Sequence, residues 1–224
     1  MEQLENYVKT AFENCCKDYK EMLQDFEPWA EQHCIHETNQ VANFISSYKK
    51  NRSKSIACLE FSIPYIDEAN TKKTDRIDGL IIDEGNVIFI EAKRFSRGTK
   101  ITDLQKDLET ISEIISTNND FLKKFNERLP KKYNTYNYYC LLLADFWRDH
   151  HSGIKQEYLS ESDLKWDTIW KTYKAELPES HYSNENIIEE EYSIAYALFK
   201  LKIISPCAVV WCKGRLFLHC ERWK

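Results

Sequence analysis

Residues 74–94, TDRIDGLIIDEGNVIFIEAKR, restrict the fold more than any other stretch of this chain. Two apolar runs, 79–82 and 87–90, are rich in β-branched residues, and the turn formers Asp83, Glu84, Gly85 and Asn86 lie between them. This spacing predicts a β-hairpin. The second run, Val87-Ile88-Phe89-Ile90, shows no polar alternation, so its strand is expected to be buried on both faces, as in a sheet covered by helices on each side.

Charges sit at the ends of these buried runs. Asp78 enters the first, and Glu91 and Lys93 leave the second. Residues two apart in a strand share a face, so Glu91 and Lys93 project together. Pairing through the turn brings Asp78 roughly opposite that end. The plainest alternative is an exposed ion pair, worth under about 1 kcal/mol. A strand buried on both faces, however, needs any charges that continue it to be paired or metal-bound. Two carboxylates suit a hard divalent cation such as Mg²⁺, which keeps several waters and completes its shell with phosphate oxygens. A lysine beside it can orient a water and offset charge building on a phosphate. The chemistry that needs this set is metal-assisted hydrolysis of a phosphodiester.

An Asp at the start of one hairpin strand, followed on the next by Glu91-Ala92-Lys93, resembles the motif of the PD-(D/E)XK nuclease superfamily. The resemblance covers roughly residues 31–116. Ile77 stands where a proline often precedes the Asp. It implies an α/β fold with a restriction-endonuclease-like core, a central mixed β-sheet flanked by helices. It also implies Mg²⁺ or Mn²⁺ as cofactor, held by Asp78, Glu91 and the carbonyl of Ala92, with Lys93 positioning the water. Members carry a further acidic residue before or within the sheet. Glu37, on a helix expected over 29–48, and Glu60, inside an apolar strand expected over 55–63, are the two candidates. Some viral relatives use a helix histidine as a ligand, which draws in His33 and His36. RecB-like members place a glutamine on the following helix; Gln105 matches it, while Glu109 replaces the tyrosine of that pattern. DNA is implied as substrate ahead of RNA because most relatives act on it.

Other residues support the same reading. Arg94, Arg97 and Lys100 follow the motif and form the best phosphate-holding region of the chain. Lys49-Lys50-Asn51-Arg52-Ser53-Lys54 is expected as a second basic loop, and residues 67–74 as a polar loop leading into the hairpin. Apolar residues at helical spacing predict helices over 2–25, 102–116 and 186–204. In the last of these, Glu189-Glu190-Glu191 would suit a helix N-terminus. Residues 118–132 read as a charged helix or loop, and 138–144 as a buried strand, parallel to the hairpin strand that precedes the helix. Lys213-Gly214 predicts a closing hairpin.

The 224 residues fit one domain, with the Trp-rich segment 145–186 as an insertion or specificity region. Eight cysteines without a secretory pattern are expected to be reduced thiols in a cytoplasmic protein. Cys15, Cys16, His33, Cys34 and His36 match no zinc spacing, and Cys207, Cys212, His219 and Cys220 are expected to pack in the core. A net charge of −5 argues against a nonspecific nucleic-acid coat, though a local basic strip suffices for a nuclease. No run is long enough to span a membrane. The alternative function, from a different class, is a catalytically inactive nuclease fold that binds a protein or nucleic-acid partner. The acidic balance and the Trp-rich segment 145–186 would suit a protein partner, and a homodimer is the other association expected.

Overall fold

The computed structural model describes residues 2–25, 37–66, 71–95, 100–117, 119–147, 181–189 and 192–201. In chain order these form α1 (Glu2–Asp25), α2 (Glu37–Asn51), β1 (Ile56–Ile66), β2 (Lys72–Asp83) and β3 (Asn86–Phe95). They continue as α3 (Lys100–Thr117), α4 (Asn119–Arg128), β4 (Asn137–Trp147), β5 (His181–Glu189) and β6 (Tyr192–Leu201). The strands make one six-stranded sheet in the order β1-β2-β3-β4-β6-β5, and only β3 and β4 are parallel. A parallel pair needs a long crossover, which α3 and α4 supply.

The apolar sequence of β3 is explained by helices on both sheet faces. Val87 and Phe89 pack into a cluster with Leu108, Ile111 and Ile115 of α3 and Phe125 of α4. Ile88, Ile90 and Ala92 pack into a second cluster with Val8 and Phe12 of α1 and Val41, Phe44 and Tyr48 of α2. The chain is thus an α/β protein with a mixed sheet between two helical layers. The hairpin turn is tight: Glu84 (φ 45°) and Gly85 (φ 78°) are both left-handed, and Asp83 pairs with Asn86 across them. This is the two-residue geometry whose twist matches that of the flanking strands.

Several expectations need correction. The described residues of 186–204 belong to strands β5 and β6 rather than to the expected helix. Ile188, Tyr192, Ala195 and Phe199 do recur at helical spacing, but Ile194–Phe199 is an unbroken buried run whose residues alternate between the two clusters. Such a run cannot be told from a buried helix by periodicity alone. Among the described residues after β4, the expected additional C-terminal helices are therefore absent. The loop expected over 67–74 also ends early, because β2 already begins at Lys72. Pro64 lies within β1, which tolerates it as the edge strand. Of segment 145–186, β4 takes the first residues and β5 the last, while 148–180 lie outside the described residues, as does the hairpin expected around Lys213-Gly214. No helix among the described residues is long and apolar enough to cross a membrane.

The expected basic loop at 49–54 is largely structural. Lys49 and Lys50 belong to the last turn of α2. Arg52 grips the buried Asp83 through Nε (2.7 Å) and Nη2 (3.0 Å), and Tyr48 donates its hydroxyl to the same carboxylate (2.9 Å). Arg52 also pairs with Glu84 and lies over the Tyr7 ring. These contacts tie the hairpin turn to α1 and α2, and they hold Arg52 firmly protonated through its hydrogen bonds to Asp83 and Glu84.

Candidate active site

The hairpin does not stay paired along its length. The β2–β3 ladder runs from Asp83↔Asn86 to Gly79↔Ile90 and ends there. Beyond that point β2 continues against β1 as far as Lys72↔Ile66, and β3 continues against β4 as far as Phe95↔Phe146. The sheet therefore splits at the step where Asp78 would have faced Glu91. In place of the lost ladder bond, Asp78 Oδ2 accepts the Ala92 N–H at 2.8 Å.

Both strands of the β1–β2 pair turn over at the same step. Ala57 packs on the α1/α2 side, whereas Phe61 and Ile63 pack on the α3/α4 side. On β2, Ile82, Leu80 and Ile77 all reach the α3/α4 side, which strict alternation forbids. The residues bracketed by the Leu59↔Gly79 and Phe61↔Ile77 pairs are Glu60 and Asp78, and Glu60 has φ of 52°. A non-glycine residue there marks local strain. Gly79 follows for a different reason: a Cβ on it would lie 2.6 Å from Val41 Cγ1, so α2 can cross the sheet only over glycine.

The split opens a cleft of about 450 Å³. One wall is the departing part of β2, Asp75, Arg76 and Ile77; Glu91 and Lys93 of β3 line it as well. The other wall is one face of α3, with Asp103, Lys106, Asp107, Thr110, Ile111 and Ile114 at helical spacing. Glu91 is only 5% exposed. Burial, then the neighbouring charge of Asp78 and that of Asp107, pushes its carboxyl up to about 9, against the opposing pull of Lys93. The Glu91 and Asp78 carboxyls also lie within hydrogen-bonding reach of one another. Lys93 Nζ makes an ion pair of 2.9 Å with Asp107 Oδ2 across the cleft. Burial alone would lower the Lys93 pKa, but Asp107, Glu91 and Asp78 outweigh it and keep the ammonium protonated. The Cys140 thiol, fully buried on β4, is held un-ionised by burial and by Glu91 and Asp107.

The structure brings together Asp78, Glu91, Ala92 and Lys93. It does not bring Glu60 into the cleft: its carboxylate is exposed and faces Arg76 at 3.4 Å. Glu37 is the first residue of α2 and Gln105 lies in α3, but the side chains of both fall outside the described residues, as do those of Arg94 and Lys100. Arg97, His33, Cys34 and His36 are also outside them, as are Cys207, Cys212, His219 and Cys220. The described cations of the cleft, besides Lys93, are Arg76 and Lys106. Asp107, which sequence reasoning missed, lies one residue before Leu108 and four before Ile111. That position on the flank of the apolar stripe was the available signal, because it turns a carboxylate toward the sheet.

Among the described residues, no three His, Cys, Asp or Glu side chains converge as a ready ligand set. The donor chemistry nonetheless fits a hard cation needing one or two protein carboxylates. Two adjacent carboxyls, one of them nearly dry, cannot both ionise without a counter-charge, and here a proton supplies it. Comparison with protein-family models, with curated proteins and with solved structures finds no match to this chain.

Proposed function

We propose that this chain is a Mg²⁺- or Mn²⁺-dependent nuclease with a restriction-endonuclease-like core, hydrolysing phosphodiester bonds of nucleic acid, DNA in preference to RNA. One observation carries the reading: the sheet splits where Asp78 and Glu91 meet, so the half-buried Asp78 lies against the buried Glu91, and Glu91 and the Lys93 ammonium line one cleft. Asp78 and Glu91 would hold the cation, with the Ala92 carbonyl as the third donor that the motif implies. A bound cation would polarise the phosphodiester and lower the pKa of an attacking water. Lys93, held protonated, serves as a fixed positive charge that orients that water and balances charge on the phosphate rather than as a proton acceptor. Arg76 and Lys106, on opposite sides of the cleft, are placed to meet the substrate backbone.

A catalytically inactive fold that binds a protein or nucleic-acid partner is the second reading. The net charge of −5 would suit a protein partner. Thermal unfolding with and without Mn²⁺ separates the two. The nuclease reading expects Mn²⁺ to raise the melting temperature of the wild type and to leave Asp78→Ala unmoved. Identical melting of the wild type with Mn²⁺ and with EDTA would favour the inactive fold.

A further inference from the structure

We propose that Asp107 is a positioning residue of the hydrolytic site, holding the Lys93 ammonium from the α3 wall of the cleft; this rests on the nuclease reading above. Lysine carries its charge on a flexible four-carbon stem and fixes its own position poorly. Glu91 and Lys93 are two apart on β3 and share a face, so an unanchored Lys93 would be drawn to Glu91. Such a pairing would neutralise a carboxylate needed for the cation. The ion pair Lys93 makes is instead with Asp107, on α3, at 2.9 Å. The two side chains are only 19% and 30% exposed, so the pair is sheltered from the screening that weakens surface contacts.

The position of Asp107 is itself fixed. Leu108 and Ile111 anchor its turn of α3 in the core beneath the cleft. Asp107 thus gives the Lys93 ammonium a partner on α3 rather than on its own strand. An ammonium has three N–H donors, so the ion pair with Asp107 leaves donors for the attacking water and a phosphate oxygen.

Asp107→Asn, nearly isosteric, keeps the shape and removes the charge. With the full chain, Mn²⁺ and a nucleic acid that the wild type cleaves, kcat is expected to fall about 10- to 100-fold, as for other supporting partners of a reactive group. KM should stay within about twofold, and the Mn²⁺-induced rise in melting temperature should persist. Asp107→Glu should recover part of kcat. Wild-type kcat in Asp107→Asn would overturn the proposal, as would a loss that falls on KM rather than on kcat. Loss of the Mn²⁺ shift in a folded Asp107→Asn would also overturn it, by making Asp107 a ligand. A wild type that cleaves no nucleic acid with any divalent cation fails the nuclease reading itself, and the positioning role with it.

Discussion

The Glu91 carboxyl lies beside that of Asp78, and Asp78 in turn accepts the backbone N–H of Ala92, the residue after Glu91. This closed relationship replaces the ladder bond lost where the two strands part, and it stores a proton. Folding takes that proton up, because burial and the Asp78 charge lift Glu91 from its ordinary 4.5 to about 9. The stabilising contribution is complete below the unfolded value and is lost as pH climbs through the folded one. Urea midpoints measured in EDTA should therefore fall between pH 5 and pH 9. Glu91→Gln should flatten that fall and exceed the wild type at pH 8 by on the order of a few kcal/mol. Parallel profiles for the two proteins would show that the carboxyl is not protonated in the fold.

The other end of the hairpin depends on Arg52. Asp83 is 6% exposed and meets Arg52 through two nitrogens as well as the Tyr48 hydroxyl. Arg52→Met leaves the buried carboxylate without its cation and is expected to cost about 3 kcal/mol. Cleavage per folded molecule should be unchanged, since the turn lies at the far end of β3 from Glu91. Chemical denaturation and activity at low temperature check the two halves separately.

Gly79 is a packing constraint. Gly79→Ala brings a Cβ to 2.6 Å from Val41 Cγ1, and overpacking of this kind costs about 1–3 kcal/mol. Val41→Ala in the same chain should return part of the loss. If the single and double variants melt alike, α2 does not seat on β2 through this contact.

Gln40 offers the opposite case. It is 1% exposed on α2, and neither amide atom has a hydrogen-bond partner. Replacing a buried amide that makes no hydrogen bond with an apolar group removes a desolvation cost, so Gln40→Leu should stabilise the protein by about 1 kcal/mol. A fall in stability would show that the amide is satisfied in solution.

The central hairpin was legible in the sequence because its signals agreed: two unbroken apolar runs, a turn rich in turn formers, and charges only at the run ends. The juxtaposition of Asp78 with Glu91 followed from the register alone. What the sequence did not reveal comes from the third dimension. Strand β6 is buried on both faces, so Ile194 to Phe199 carried no alternation to distinguish it from a helix. Asp107 reaches Lys93 only because α3 crosses back over the parting strands, and Gln105 drew attention through a family pattern rather than through its place on the apolar stripe. Glu60 looked like an interior acid because it interrupts an apolar strand. Its positive φ and the turnover of β1 at that step give it an exposed side chain instead.

The most direct test is cleavage. Purified wild type and Lys93→Ala would be incubated with linear, circular and single-stranded DNA and with RNA, in Mn²⁺ or EDTA. Lys93→Ala removes the amine while leaving the carboxyls of Asp78 and Glu91. The expected result is Mn²⁺-dependent cleavage by the wild type, strongest on a DNA substrate, absent in EDTA and lost in Lys93→Ala. Equal cleavage by the two proteins, or none by the wild type on any substrate, would contradict the assignment of this cleft as a nuclease site.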